Sequence, residues 1–133
     1  MERIAIIGSG PAGLTAAIYS SRARNNPVLI SGSVPGGQLT QTSDIENYPG
    51  FKEPVNGFDL MNSFQKQAER FGTRIVNDKV DSVELKHGGP HRLLLAGGGT
   101  VECKALIIAT GASPRWLGLD SEKRLLGKGV SAC

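Results

Sequence analysis

Three glycines near the start of the chain have the spacing of a phosphate-binding turn. Gly8, Gly10 and Gly13 form a G-x-G-x-x-G motif that directly follows the apolar run 4–7. The first glycine permits a tight exit from a strand, the second lets phosphates approach the backbone, and the third lets a helix lie close to the strand. Pro11 suits the first helical turn, where unpaired N–H groups and the helix dipole favour an anion. The motif predicts a nucleotide pyrophosphate site, and the alternative is a glycine-rich loop without a ligand.

Two cysteines, Cys103 and Cys133, are the thiols of the chain. They do not make a disulfide framework, and no Cys/His spacing resembles a zinc site, so we expect no metal. His87 and His91 flank a Gly-Gly-Pro sequence and are predicted to be solvated turn residues rather than metal ligands. Cys103 lies at the end of a predicted strand, and we interpret it as a small, buried hydrophobic residue.

The elements around the glycine motif predict the start of a parallel α/β sheet. A helix is predicted from Pro11 to Arg24, because apolar residues recur there at helical spacing. The next strand is 28–30, and a strand–helix–strand unit of this length places it parallel to 4–7. Dinucleotide-binding units usually carry an acidic residue after the second strand. Ser31 lies near that position instead; its hydroxyl could serve, but the missing acid weakens an assignment of NAD to this unit.

The stretch 31–57 has little periodicity and is long for a loop inside a compact domain, which indicates a functional segment. Gly36 and Gly37 leave the backbone free for close approach to a flat ligand. Uncharged polar side chains that suit the edge of a flavin ring are Gln38, Thr40, Thr42 and Asn47. The alternative interpretation of this stretch is a mobile lid or a linker.

The second half of the chain predicts one more helix and a small antiparallel meander. The helix covers 57–71 and ends before Gly72, and its apolar stripe is interpreted as core: Leu60, Met61, Phe64, Ala68 and Phe71. The strands predicted after it are 74–76, 80–85, 92–96, 100–103 and 105–109. The middle three form the meander. The apolar run 105–109 predicts a strand buried on both faces, and it ends at the carboxyl edge of the sheet, where ligands bind.

Composition excludes several classes of function. The chain has 133 residues, of which 39% are hydrophobic and 20% charged, as is typical of one globular domain. Its net charge is +3, yet the basic residues are scattered, so we expect no nucleic-acid surface. The apolar run before Gly8 is too short for a signal peptide, and no stretch is long enough to cross a bilayer. We therefore expect a cytoplasmic protein with no membrane partner.

Several motifs together resemble one enzyme family. Gly-Gly-Gln-Leu at 36–39 and Glu-Asn-Tyr-Pro-Gly at 46–50 are more specific than the first glycine motif, and segments 105–114 and 129–133 extend the match along the chain. On these residues the chain resembles the low-molecular-weight, NADPH-dependent thioredoxin reductases, which have one FAD domain and one NADPH domain. The resemblance implies a Rossmann-like, FAD-binding, three-layer α/β fold with a parallel sheet and a small antiparallel β-meander, incomplete at the C-terminus.

The resemblance also implies which residues hold FAD. Residues of the first glycine motif hold the pyrophosphate, residues of the second glycine pair contact the flavin end, Val80 lies near the adenine, and 109–111 pass beneath the cofactor. The residues assigned to cofactor binding are Gly8, Ser9, Gly10, Pro11, Ala12, Gly13, Ser31, Gly36, Gly37, Gln38, Leu39, Thr42, Asn47, Val80, Ala109, Thr110 and Gly111.

By the same resemblance, Cys133 is the first, catalytic cysteine of a Cys-x-x-Cys redox pair. Residues 1–111 are then the N-terminal part of the FAD-binding domain, and 112–133 connect it to an NADPH-binding domain. The full-length enzyme is expected to be a homodimer that passes electrons from NADPH through FAD to the disulfide and then to thioredoxin, and this chain alone is expected to be inactive. The alternatives are a non-catalytic FAD-binding fragment or subunit, and a thioredoxin-reductase-like ferredoxin–NADP reductase. The latter lacks redox cysteines, so the Ser-Ala-Cys ending argues against it.

Overall fold

Six β-strands and three α-helices make up the part of the chain that the structure describes. The structure is a computed structural model, and it describes residues 1–131. The strands are β1 (Glu2–Ile7), β2 (Val28–Ile30), β3 (Arg74–Val76), β4 (Val80–Glu84), β5 (His91–Leu95) and β6 (Thr100–Ile108). The helices are α1 (Pro11–Arg22), α2 (Gly57–Arg70) and α3 (Asp120–Leu125), and a short 3₁₀ helix covers Gly37–Gln41.

The strands form one mixed sheet in the order β3-β2-β1-β6-β5-β4. β1 lies between β2 and β6 and is parallel to both, and β3 is parallel to β2. β5 is antiparallel to both β6 and β4. The predicted α/β class is confirmed, as is the parallel strand–helix–strand unit made of β1, α1 and β2.

The last strand differs from the prediction. The sequence pattern predicts separate strands at 100–103 and 105–109, whereas the structure has one continuous strand, β6. Its first residues pair with β5 and its later residues with β1, and Cys103 pairs with a residue on each of these neighbours. Lys104 interrupts the apolar pattern, but backbone pairing, which does not depend on that side chain, keeps the strand continuous. β6 therefore joins the meander to the parallel sheet.

Two apolar clusters lie on opposite faces of the parallel sheet. Ile6 belongs to the cluster beneath α1 and α2, whereas Ala5 and Ile7 belong to the other cluster, because successive side chains of a strand alternate between faces. The second cluster also joins Val28 of β2 to Leu93 of β5, although β1 and β6 lie between those strands in the sheet. Apolar residues of the meander and of the parallel strands therefore form one continuous buried cluster on the second face.

The carboxyl-terminal half of β6 is less covered than predicted. Leu106 and Ile107 are half-buried, each against one of the two clusters. Ala105 is exposed, and 62% of Ile108 is accessible to solvent. The prediction of a strand buried on both faces is therefore wrong within the described residues. An apolar run shows that a strand can be buried, but it does not show how far the covering layers extend along it.

The second helix, α2, begins where its sequence predicts and ends one residue earlier. The side-chain oxygen of Asn56 accepts hydrogen bonds from the N–H groups of Phe58 (3.0 Å) and Asp59 (3.3 Å), which caps the first turn. Gly72 follows the helix with a φ of +96°, the left-handed conformation that commonly ends helices. The core part of the predicted apolar stripe is confirmed and comprises Leu60, Met61, Phe64 and Ala68.

Phe71 departs from the predicted stripe. Its side chain is 36% exposed, and it follows the last residue of α2, so it no longer shares the buried helix face. The guanidinium carbon of Arg70 lies 4.9 Å from the centroid of its ring and that of Arg22 lies 5.9 Å away. Phe71 is therefore a surface residue in contact with two cations.

One carboxylate fixes the segment that precedes α3. The side chain of Glu122 accepts hydrogen bonds from the N–H groups of Leu117 (2.9 Å), Gly118 (2.7 Å) and Leu119 (3.0 Å). These hydrogen bonds, foremost the one from Leu117, stabilise the ionised form and hold the pKa of Glu122 below its usual value. Through these hydrogen bonds the ionised side chain holds residues 117–119 against the first turn of α3.

We expect this segment to open at low pH. Because the pKa of Glu122 is lowered on folding, its stabilising effect is complete above the unfolded-state pKa of about 4.3 and is lost as the pH falls through the folded-state pKa. Trp116 is the single tryptophan of the chain and adjoins this segment, so its fluorescence can report the opening. The wild-type chain should show an acid transition that is absent in Glu122→Gln and retained in the control Asp120→Asn. A transition of equal size in Glu122→Gln would contradict the assignment.

Candidate functional site

The first glycine turn brings the carboxyl ends of β1, β2 and β6 together. The N–H of Gly8 donates to the carbonyl oxygen of Ile30 at the end of β2 (2.8 Å). A Cβ atom added to Gly8 would lie 2.2 Å from the carbonyl oxygen of Ala109 and 3.4 Å from the Cα of Thr110, and Gly8 has a φ of +103°. Both observations require glycine at this position. Gly111, which follows, is exposed.

Helix α1 lies directly on this turn. A Cβ added to Gly13 would lie 1.9 Å from the carbonyl oxygen of Gly8, so the close approach of the helix requires glycine here as well. Gly10 is different, because a Cβ there meets no protein atom within 4 Å and its φ of −67° suits any residue. Packing of the described residues therefore does not explain glycine at position 10. The space beside Gly10 is a cradle that a larger side chain would fill.

Gly10 is also the N-cap residue of α1. Pro11 stands at the first helical position, and in the described chain no side chain caps this helix and no acidic residue occupies its first turn. Pro11 and Ala12 are exposed. The first-turn N–H groups have no partner within a helix, and the helix dipole places partial positive charge at this end. Open space beside such donors can accommodate a phosphate group.

A second glycine turn lies against Gly10. Gly36 and Gly37 have φ values of +85° and +70°, which are left-handed conformations that favour glycine. A Cβ added to Gly37 would lie 3.1 Å from the Cα atom of Gly10. The structure therefore places next to each other two segments that lie far apart in the sequence and that were both predicted to contact one ligand.

Ser9 connects the two glycine turns. Its hydroxyl donates to the carbonyl oxygen of Ser31 (2.8 Å) and accepts from the N–H of Gly36 (2.9 Å). Ser9 and Ser31 are both buried. The structure thus brings together three residues that the sequence analysis assigns to one site, and it directs the Ser9 hydroxyl toward other protein groups.

The other residues predicted near the second glycine pair have defined surroundings. The side-chain amide of Gln38 donates to the carbonyl oxygen of Ala112, which ties the 3₁₀ helix to the segment after β6. The side chain of Leu39 packs against the apolar cluster beneath α1 and α2. Thr42 is exposed, and its N–H donates to the carbonyl oxygen of Leu39 (3.1 Å).

Val80 and Asn47 lie on elements other than the glycine turns. Val80 begins β4 and is half-buried in the cluster that contains Ile30 of β2. Asn47 is exposed in a loop whose ends are joined by a bridge between 45 and 55. The adjacent Tyr48 ring meets the ring of Phe64 on α2 edge-on, with 5.7 Å between their centroids, which anchors this loop to the helix.

The sequence profile of the family described as pyridine nucleotide-disulphide oxidoreductase matches residues 2–133. The chain belongs to this family. Among curated proteins, the thioredoxin reductase of Rickettsia bellii is 53% identical over 131 residues, which are 98% of this chain and 42% of that protein. The thioredoxin reductase of Vibrio cholerae is 50% identical over 134 residues, which cover 99% of this chain and 41% of that protein. The chain thus spans about two fifths of the length of these relatives.

Solved structures agree with this family membership. Thioredoxin reductase from Lactococcus lactis, in its FR conformation, superposes with a TM-score of 0.84 at 37% identity, and the match covers 100% of this chain and 43% of that one. Thioredoxin reductase from Giardia duodenalis gives a TM-score of 0.83 at 41% identity, covering 98% of this chain and 42% of that one. The six-stranded α/β architecture is therefore that of a pyridine nucleotide-disulphide oxidoreductase.

Of the two cysteines, Cys103 lies in the part of the chain that the structure describes. Cys133 lies outside the described residues. Cys103 is fully buried in β6, as predicted, and burial raises the pKa of its thiol above the usual value, with a smaller contribution from the nearby charge of Glu2. A buried thiol with a raised pKa is a poor nucleophile, so Cys103 is a packing residue.

Sequence analysis missed one residue that shapes this site. Gly57 is the first residue of α2, and a Cβ there would lie 1.9 Å from the carbonyl oxygen of Leu39 in the 3₁₀ helix. Glycine at the start of a helix, where Asp, Glu or Pro is more usual, is the signal that could have indicated this contact. The absence of a side chain at Gly57 therefore lets the start of α2 pack directly against the 3₁₀ helix that contains Gly37.

The described residues offer neither a metal site nor a membrane-spanning helix. Within residues 1–131, no three or more His, Cys, Asp or Glu side chains are grouped so that they could hold a metal ion. None of the described helices has the length and apolar character that a membrane-spanning helix needs. His87 is exposed in a turn, as predicted, but His91 is the half-buried first residue of β5, so its prediction as a solvated turn residue is wrong. The N–H of Lys86 donates to the Nδ1 atom of His91 (3.3 Å).

The contrast between Gly13 and Gly10 predicts two different effects on folding. Gly13→Ala places a methyl group against the carbonyl of Gly8, and we expect it to lower the free energy of unfolding by about 1–3 kcal/mol or more. Gly10→Ala enters open space and should change stability by less than about 1 kcal/mol, with a small gain from reduced chain entropy. Urea unfolding of both variants without nucleotide is the measurement. Equal losses would show that the space at Gly10 is closed in solution.

Proposed function

We propose that this chain is the FAD-binding part of an NADPH-dependent thioredoxin-disulfide reductase. In this proposal residues 1–111 form the N-terminal part of the FAD-binding domain. Family membership and the thioredoxin reductase relatives, at 53% and 50% identity, support the assignment. The structure adds open space beside backbone N–H groups at the carboxyl edge of the parallel strands. Open α/β sheets bind nucleotides at this edge.

The cradle at Gly10 is the observation that carries the proposal. FAD is a dinucleotide, and its pyrophosphate needs room beside backbone N–H groups together with compensation for its negative charge. The space beside Gly10 lies at the uncapped N-terminus of α1, which meets both needs. A second glycine turn lies close to this one, since a Cβ on Gly37 would lie 3.1 Å from the Gly10 Cα atom. The residues present therefore fit the cofactor that the family implies.

The proposed roles follow from the position of each group. The turn from Gly8 to Gly13 would hold the pyrophosphate, with Ala109, Thr110 and Gly111 forming the adjoining wall. The second glycine turn, Leu39 beside it and the exposed polar side chains near it would contact the flavin half. The residues are Gly36, Gly37, Gln38, Leu39, Thr42 and Asn47. Ser31 and Val80, at the ends of β2 and β4, would lie toward the adenosine half.

The protein and the cofactor have different tasks in this proposal. FAD, when bound, supplies the hydride and electron chemistry, which no amino-acid side chain provides. The chain's own residues bind and orient the cofactor. The backbone N–H groups at the start of α1 would donate hydrogen bonds to the pyrophosphate and partly compensate its negative charge.

The remaining steps require groups beyond the described residues. We propose that 112–133 connect to an NADPH-binding domain and that Cys133 is one cysteine of the redox-active pair. Its thiolate would exchange with a thioredoxin disulfide, and electrons would reach the pair from NADPH through FAD. By the same resemblance, the whole enzyme would be a homodimer.

The first test of the proposal replaces the glycine of the cradle. Gly10→Asp places a side chain and a negative charge in the space proposed for the pyrophosphate, so FAD should bind at least about tenfold more weakly, equivalent to about 1.4 kcal/mol. Flavin fluorescence titration of the full-length protein measures the affinity.

Two controls separate binding from folding in this test. Gly10→Asn introduces similar bulk without the charge and should have an intermediate affinity for FAD. Gly10→Asp without FAD should be as stable as the wild type or slightly more stable, because the site is open and Asp is a favourable N-cap residue. If Gly10→Asp copurified with stoichiometric FAD, the pyrophosphate would have to lie elsewhere.

The second test concerns the cysteines in the full-length protein. Cys133→Ser should abolish NADPH-dependent reduction of thioredoxin but leave reduction of FAD by NADPH measurable, because the two steps use different groups. Cys103→Ser is the matched control and should retain nearly full turnover, since that thiol is buried and its pKa is raised. Stopped-flow flavin absorbance and a thioredoxin assay report the two steps. Similar losses in both variants would refute the role given to Cys133.

A further inference from the structure

Ser9 occupies the variable position between the first two glycines of the motif, and it makes two buried hydrogen bonds across the chain. The side chain is only 3% exposed. Its Oγ atom lies 2.8 Å from the carbonyl oxygen of Ser31 and 2.9 Å from the backbone nitrogen of Gly36. The three residues belong to three different segments: the first glycine turn, the end of β2, and the second glycine turn.

The direction of both hydrogen bonds is fixed by chemistry. A carbonyl oxygen can only accept, so the single hydroxyl proton of Ser9 goes to Ser31. A backbone N–H can only donate, so Gly36 donates to an Oγ lone pair. The hydroxyl therefore has no proton left to donate to a ligand, and its burial separates it from the open cradle. The Ser9 side chain can therefore affect a ligand only indirectly, through the positions of the two segments to which it is hydrogen-bonded.

The segment held through Gly36 borders the cradle itself. Gly37, the next residue, approaches Gly10 so closely that a Cβ on it would lie 3.1 Å from the Gly10 Cα atom. Hydrogen bonds within the loop, from the Gly37 N–H to Val34 (2.9 Å) and from the Thr40 hydroxyl to Gly37 (2.8 Å), hold the shape of this turn but do not fix its position against the first turn, which needs an anchor between the two. The hydrogen bond from the Gly36 N–H to Ser9 provides that anchor.

We propose that Ser9 is a positioning residue that sets the second glycine turn at a fixed distance from the Gly10 cradle. A dinucleotide bound at both turns gains from this spacing, whereas a ligand that occupies the first turn alone does not. The inference rests on the proposed function, in which FAD spans the two turns. Under this inference the Ser9 side chain does not contact the cofactor. It holds the protein segments on either side of the cofactor at a fixed spacing.

The test compares Ser9→Ala with Ser21→Ala in the full-length protein. Ser21 is a matched control because it is also buried, 6% exposed, and its hydroxyl hydrogen-bonds to that of Thr73 (2.8 Å) on the helix side of the sheet. Each variant loses one buried hydroxyl, so both should show a modestly lower unfolding temperature without ligand. A purely structural role would make the two variants alike in every other measurement.

Three measurements then separate the roles: the affinity for FAD, the affinity for ADP, and the hydrogen exchange of a peptide containing the Gly36 amide. Ser9→Ala should weaken FAD binding by about tenfold, the size of one lost anchoring hydrogen bond, and ADP binding by less than about threefold. The Gly36 peptide should exchange faster. Ser21→Ala should leave all three at wild-type values.

Several outcomes would overturn the inference. Unchanged FAD affinity in Ser9→Ala, or equal weakening of FAD and ADP, would show that the spacing of the two turns does not depend on Ser9. If the wild-type protein itself failed to bind FAD, the proposed function would be wrong. In that case hydrogen exchange alone would test whether Ser9 anchors the second glycine turn. Faster exchange of the Gly36 peptide in Ser9→Ala would support this role, and unchanged exchange would refute it.

Discussion

Backbone contact at the first glycine turn is the constraint on which the candidate site depends. The carbonyl of Ala109 lies where a Cβ of Gly8 would be, and the carbonyl of Gly8 lies where a Cβ of Gly13 would be. Strand β6, the turn and helix α1 are therefore stacked without an intervening side chain. This stacking brings the end of one strand, the start of a helix and the end of another strand into one small volume, which leaves the space at Gly10 as the opening of the site.

Much of the fold could be predicted because its signals are local. The glycine spacing, Pro11 and the apolar periodicity of the first helix lie within a few residues of one another, and they predict β1, α1 and β2 in the right order. The ends differ by two residues, since β1 begins at Glu2 rather than Ile4 and α1 ends at Arg22 rather than Arg24. The meander was also recognisable from alternation and turn residues. The continuity of β6 was not, because Lys104 interrupts the apolar pattern while the backbone pairing that defines the strand comes from distant neighbours.

The site itself was only partly predictable for the same reason. The sequence indicates which residues resemble a nucleotide site, but it does not show that Gly37 lies against Gly10 or that the Ser9 hydroxyl meets the Gly36 amide. Those contacts join residues that are remote along the chain and depend on the path of the loop after β2. The coverage of Ile108 was likewise unpredictable, since it depends on where the covering layers end.

The position of β1 between β2 and β6 has a consequence for biosynthesis. The ribosome synthesises β1, α1 and β2 first. The edge of β1 that pairs with β6 remains unpaired until residue 108 has been made. Until then the nascent chain carries an open, apolar strand edge, with which strands from other chains can pair. Ala109, whose carbonyl group packs against Gly8, is synthesised directly after β6. The backbone contact at Gly8 is thus completed only after β1 and β6 have paired.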